Sequence, residues 1–233
     1  MTAINTTELT KRYPDAMAVE NLDIEVSPGD VFGFVGPNGA GKSTTIAMFL
    51  GLRRPTAGSI RIFGCSPTAD AVRLRRQVGA LSENGGLLGR LTGTDHLRFA
   101  LRTQGSAATP RSLFERVGLD PEDGDRRVDT YSTGMAQRLR LAIALAGEPE
   151  LLILDEPAAG LDPEGNARLR DIVQTEQQKG TAVFFSSHQL DDVAAVCDRI
   201  GFLVDGRLRD VVDGRESRAA LAERFAALVR RSR

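Results

Sequence analysis

The stretch that most limits what this chain can become is "VFGFVGPNGAGKSTTIAMFL", residues 31–50. Its first five residues, Val31–Val35, read as a strand covered on both faces. The next eight have the form G-x-x-x-x-G-K-S, and an apolar helical pattern follows. A strand that passes into a Gly-rich loop and then a helix start is built to hold phosphate. Glycines permit unusual φ values and close backbone approach, and the N–H groups of the loop and helix start then point at the anion. The candidate contacts are Gly36, Asn38, Gly39, Ala40, Gly41, Lys42, Ser43 and Thr44. Lys42 suits the β- and γ-phosphates of a nucleotide, and the Ser43 hydroxyl suits Mg²⁺. The plainer alternative is a Gly-rich turn before a core helix, but strand, helix and complete motif together argue against it.

The rest of the chain is consistent with that start. Further strands are expected at Leu22–Val26, Ser59–Phe63, Gln77–Leu81, Leu151–Leu154, Thr181–Ser186 and Ile200–Val204. Helices are expected at Ser43–Leu50, Asp70–Arg76, Thr94–Thr103, Arg111–Val117, Gly134–Ala146, Glu164–Gln178 and Gln189–Val196. Alternating strands and helices predict an α/β fold with a mostly parallel sheet, and the loop motif makes it a P-loop NTPase. Residues 84–147 break the alternation, with helical patterns and no convincing strand. The expected organisation is a core from 1–83 and 148–210, an inserted helical subdomain at 84–147, and a helical tail at 211–233. Leu221, Phe225, Leu228 and Val229 give that tail one apolar stripe.

Composition excludes some classes. The chain has 233 residues with formal net charge -1, so bulk charge does not point to nucleic acid. Cys65 and Cys197 lack metal-ligand spacing and read as reduced, buried thiols. No apolar run approaches the ~20 residues that span a bilayer, and the N-terminus has no signal-type apolar region. A membrane role would need a partner chain.

Two further segments carry chemistry. "LLILDEPAAGLDP" is an apolar strand ending in Asp155-Glu156. Strand ends in such sheets lie beside the nucleotide. Asp155 would reach Mg²⁺ through water, and Glu156 would align or deprotonate a water aimed at the γ-phosphate. Taken alone, such an acid pair is more often a helix cap. His188, in "AVFFSSHQLDDV", closes the next apolar strand and is a candidate γ-phosphate contact; His96 lacks such context and reads as structural. The segment "TYSTGMAQRLRLAIALAG", Thr130 to Gly147, is a second anion-binding helix start on a chain that already has one.

In this order, "GPNGAGKST", "YSTGMAQRLRLA", "LLILDEP", "GLD" and "SSH" resemble the ATP-binding cassette family, the nucleotide-binding subunits of ABC transporters. The similarity runs from about residue 3 to 210. It implies a RecA-like core with a small antiparallel β part, ATP and Mg²⁺ as cofactors, and two subunits paired head to tail. Ser132, Thr133 and Gly134 of each would then close over the ATP in the other's P-loop, with Asp162 in the loop linking the two sites. It also implies Tyr13 as the aromatic on the adenine, and separate transmembrane permease subunits holding the chain at the cytoplasmic membrane face. The segment around Tyr131–Met135 departs from the usual Leu-Ser-Gly-Gly-Gln and is similar to an exporter branch associated with drugs, antibiotics and lipids. Glu83 stands where the family has a glutamine that binds Mg²⁺, and the loop after it, Asn84–Thr94, would meet the membrane partner. A soluble ATPase of this family acting on DNA or ribosomes, or a regulatory subunit of an unlike pair, are the alternatives.

Overall fold

A computed structural model describes residues 2–82 and 86–230. The chain opens with an antiparallel hairpin, β1 (Ile4–Tyr13) and β2 (Ala16–Leu22), and a two-residue strand, β3 (Glu25–Val26). β4 (Val31–Val35) leads through the Gly-rich loop into α1 (Lys42–Phe49). β5 (Ala57–Ile62), α2 (Ala71–Gln77) and β6 (Val78–Leu81) follow. Next, among the described residues, come α3 (Gly93–Gln104), α4 (Pro110–Val117), two 3₁₀ turns and α5 (Thr133–Leu145). The chain then returns to the sheet with β7 (Leu151–Asp155), α6 (Pro163–Gln178), β8 (Ala182–Ser187), α7 (Leu190–Ala194), β9 (Arg199–Val204) and β10 (Arg207–Asp213). α8 (Arg218–Arg230) ends the described chain.

The central sheet has the order β10-β9-β4-β8-β7-β6. It is parallel from β9 to β6, with β10 antiparallel at one edge. β1 pairs with β2, β3 and β5 in a smaller antiparallel sheet. Both faces of the central sheet are covered, and the side-chain period of two sorts its residues between two cores. Val31, Val35, Leu152, Leu154, Val183 and Phe185 face the layer that includes the helices from α3 to α8. Phe32, Phe34, Leu151, Ile153 and Phe184 face the layer of α1 and the smaller sheet. There Phe184 is ringed by Phe32, Phe34 and Phe49, with centroids 5.8, 5.2 and 5.1 Å away.

The chain is therefore α/β, with a mixed, mostly parallel sheet. Three strands lie outside the sequence expectation. β1 ("INTTELTKRY") and β10 ("RLRDVVD") are rich in polar residues because only one face of each is buried. β2 is legible only once β1 is there to pair with it. The segment expected as one strand at Leu22–Val26 is instead split between the end of β2 and β3. β10 also continues through residues 211–213, which the sequence reading placed in the tail. The tail stripe does pack inward: Leu221 is buried, and Phe225 stacks on Phe202 at 5.3 Å.

Candidate functional site

Strand order assembles the site. β4, β8 and β7 are parallel neighbours, so their C-terminal ends open on the same edge. The Gly-rich loop leaves β4, Glu156 follows β7, and His188 follows β8. They line one cavity of about 400 Å³, bounded by Asn38, Gly39, Ala40, Gly41, Lys42, Ser43 and Thr44 with Ala18, Glu156, Ala159 and His188.

Gly41 caps α1 at φ +107, a backbone that side-chain-bearing residues rarely adopt. Thr45 Oγ1 donates to its carbonyl at 2.9 Å and ties the first turn to the loop. Lys42 is buried, and its Nζ donates to the carbonyls of Gly36 at 2.7 Å and Pro37 at 3.3 Å. The same ammonium lies 3.4 Å from Glu156 Oε1. The other Glu156 oxygen accepts from the His188 N–H at 3.3 Å and lies 2.8 Å from His188 Nδ1. Lysine, glutamate and histidine thus meet at the mouth of the Gly-rich loop.

Glu156 stands at φ +49, and its N–H donates to Ser186 O at 3.1 Å and Ser186 Oγ at 3.3 Å. Asp155 is buried at the end of β7 and accepts from Ser186 Oγ at 2.6 Å. A hydroxyl at Ser43 and one buried carboxylate make a small donor set. That suits Mg²⁺, which takes one or two protein oxygens and completes its shell with phosphate and water. Among the described residues no cluster of three or more His, Cys, Asp or Glu stands ready to hold a metal alone. Glu83 lies outside the described residues.

Behind His188, Ser187 Oγ donates to Asp192 Oδ2 at 2.8 Å. Burial pushes the Asp192 carboxyl above the usual range, and the Glu156 charge adds to the shift. His96 has a structural post: its Nε2 accepts from the Leu88 N–H at 2.9 Å, and its Nδ1 lies 2.8 Å from Thr92 O.

The other residues singled out in the sequence lie elsewhere. Tyr13 ends β1 opposite Ala16, with Lys11 Nζ 5.3 Å from its ring centroid, and does not line the cavity. Ser132 caps α5, its Oγ accepting from the Met135 N–H at 3.2 Å, and both Ser132 and Thr133 are exposed. This turn packs against its own chain's loop after Glu156: a side chain on Gly160 would meet Thr133 Cγ2 at 2.6 Å. In that loop Asp162 caps α6, accepting from the Gly165 N–H at 2.7 Å and from Arg138 Nη2 at 3.0 Å. The Gly165 N–H, with the Arg138 charge beside it, holds the Asp162 carboxyl below the usual range. The structure therefore brings Lys42, Glu156 and His188 together, and keeps Ser132, Thr133, Gly134 and Asp162 as a separate group.

One residue near this group was not singled out in the sequence. Gln137 is buried on α5, and its Nε2 donates to Glu156 O at 3.1 Å and Pro157 O at 3.0 Å. The signal for it is a glutamine at the helical spacing of Leu141, Ala144 and Leu145, all core-facing.

The profile of the ABC transporter family matches residues 19–159, more than half of the chain. The bacitracin transport ATP-binding protein of Bacillus licheniformis is 39% identical over 214 residues, covering 91% of this chain and 70% of the relative. The daunorubicin/doxorubicin resistance ATP-binding protein of Streptomyces peucetius is 39% identical over 211 residues, covering 88% of this chain and 64% of the relative. A solved ATP-binding subunit of an ABC transporter superposes with a TM-score of 0.87 at 27% identity, over 98% of this chain and all of that one. With the phosphate loop, the acid pair and the histidine converging on one cavity, these similarities lead to one assignment: the chain belongs to the ABC transporter family, as one of its ATP-binding, ATP-hydrolysing subunits.

Proposed function

We propose that this subunit drives export of a drug-like or antibiotic cargo through separate membrane subunits, working from the cytoplasmic face. The observation that carries the catalytic part is the meeting of Lys42, Glu156 and His188 at the mouth of the Gly-rich loop. The loop N–H groups and Lys42 bind the nucleotide phosphates, and Ser43, Asp155 and Glu83 are the residues that would hold Mg²⁺. When bound, that ion neutralises phosphate charge as the γ-phosphoryl group leaves. Glu156 orients the attacking water and takes its proton. His188 keeps the Glu156 carboxylate in place and offers its ring to the γ-phosphate, and Tyr13 stacks on the adenine.

The Ser132–Gly134 turn does not line its own chain's cavity, yet it is an exposed helix start suited to an anion. In our reading it grips the γ-phosphate bound by a second cassette, like or related, in a head-to-tail pair, with Asp162 in the connecting loop. ATP then favours the closed pair by mass action, and hydrolysis releases it. One solved cassette of the same fold, at 21% identity and a TM-score of 0.85, is described as dimeric in a post-hydrolysis state with ADP and Pi.

The membrane subunits are assigned to a groove of about 580 Å³ bordered by α1, α2 and α3. Leu52 and Val72 on its wall are 71% and 76% exposed. Exposed apolar side chains gathered in one place mark a contact surface. The occupant is an apolar helix end, flanked by acids that answer Arg75 and Arg76 on the rim. The export direction rests on relatives such as the daunorubicin/doxorubicin resistance ATP-binding protein.

The test is Glu156→Gln. Turnover should fall about 10²–10⁴-fold, the usual worth of a positioned base, while ATP still binds and an ATP-dependent dimer accumulates on gel filtration. Unchanged turnover would remove Glu156 from the chemistry, and a monomer at saturating ATP would remove the shared-nucleotide arrangement.

A further inference from the structure

We propose that Gln137 is a positioning residue for Glu156, linking the helix that starts at Ser132 to the carboxylate that directs hydrolysis in the same chain. The proposal rests on the reading of Glu156 as the base.

Gln137 lies five residues beyond the Ser132 cap and is 7% exposed. Its Nε2 gives hydrogen bonds to two consecutive carbonyls, Glu156 O at 3.1 Å and Pro157 O at 3.0 Å, and its Oε1 lies 3.4 Å from Arg140 Nη1. A leucine or methionine would fill this volume without desolvating an amide, so the two hydrogen bonds are what the glutamine adds.

The residue it holds is strained. Glu156 has φ +49, although it bears a side chain and precedes a proline. Such a conformation persists only where its surroundings over-determine it. Here Ser186 on β8 holds the Glu156 N–H, while the Ala159 N–H at 3.1 Å and Gln137 hold its carbonyl. This backbone aims the carboxylate at Lys42 and His188. Among the described residues, Gln137 is the side chain of α5 bonded to the Glu156 carbonyl.

The same helix start touches the loop after Glu156 at two more points. Gly134 packs on Gly160 closely enough that a Cβ would stand 3.3 Å from the Gly160 carbonyl. Arg138 Nη2 donates to Asp162 at 3.0 Å. A shift of α5, such as its Ser132 end would undergo on gripping a phosphate, is delivered to the Glu156 carbonyl through Gln137. Engagement of the turn by the partner's nucleotide thereby sets the base in the chain that owns the turn, which makes the two sites of a pair interdependent.

The experiment is Gln137→Met, which keeps length and volume and removes both donors. We expect kcat to fall about 10–10²-fold, the effect of an ångström-scale misplacement of a catalytic group, with the KM for ATP within about twofold. In a Glu156→Gln background the same substitution should change single-turnover hydrolysis by less than about threefold, because there is no base left to position. Gln137→Asn, one methylene too short, should give the same pattern and serves if the methionine variant does not fold. Unchanged kcat, or an equal loss in both backgrounds, overturns the proposal. If Glu156→Gln alone leaves turnover intact, the reading of Glu156 beneath the proposal is what fails.

Discussion

Gly41→Ala measures how closely the backbone must pass to make this phosphate cradle. Gly41 sits at φ +107, and a Cβ there would stand 2.2 Å from the Ala18 carbonyl oxygen on β2. The closest ordinary carbon–oxygen contacts are about 3.3 Å, so the loop or β2 must yield by about 1 Å. The backbone strain alone is worth on the order of 1–3 kcal/mol. In a chain of this size that lowers the unfolding midpoint by roughly 2–12 °C. The displacement adds a functional cost, because moving the loop by about 1 Å misplaces Lys42 and reduces turnover on the order of 10²-fold. Gly39→Ala is the control: φ is +82, but nothing lies within 4 Å of its Cβ, so it carries strain without collision. Thermal melts and steady-state ATP hydrolysis of both variants separate the two effects. A larger melting loss and a much larger turnover loss at Gly41 than at Gly39 fit the argument. Equal turnover in the two variants, or Gly41→Ala within about threefold of the parent, refutes it.

Other consequences can be measured independently. Phe184→Ala empties the space among Phe32, Phe34 and Phe49 and should cost about 3–5 kcal/mol in denaturant unfolding; a loss under about 1 kcal/mol would mean the ring cluster collapses freely. Asp192 has a pKa raised above 3.8 in the fold, mainly by burial. A carboxyl raised in this way penalises the folded state fully above its folded pKa, and the penalty vanishes once pH falls below the unfolded value. Asp192→Asn, whose Oδ1 can still accept from Ser187, should therefore melt higher than the parent at neutral pH, with the advantage shrinking as pH drops toward 3.8. A gain that persists below that pH would assign the effect to something other than the charge.

Features carried by neighbours in the chain were readable in advance. The Gly-rich loop, the acid pair after "LLIL" and the histidine after "AVFFSS" each combine a short motif with the strand that precedes it. The apolar strands were legible because both faces are buried, which makes them continuous. β1 and β10 escaped because one-faced burial left their patterns mostly polar, and strand pairing, not propensity, sets them. Asp162 looked like an interface residue from its place in "GLDP"; the fold adds its role as cap of α6 and partner of Arg138. Gln137 escaped because a glutamine on the core-facing stripe of a helix shows that it is buried but not which acceptors the fold brings to it.

Sequence alone determined that this chain carries a strand, a Gly-rich loop and a helix start in the form suited to phosphate, since that segment is local and its glycines, lysine and serine are close in the chain. The tertiary structure decided what surrounds that loop. Only the strand order β4-β8-β7 brings Glu156 and His188 to Lys42, and only packing of α5 on the loop after β7 places an amide on the Glu156 carbonyl. Contacts between residues so far apart in the chain depend on which surfaces the whole fold buries together, and no short run of residues encodes that.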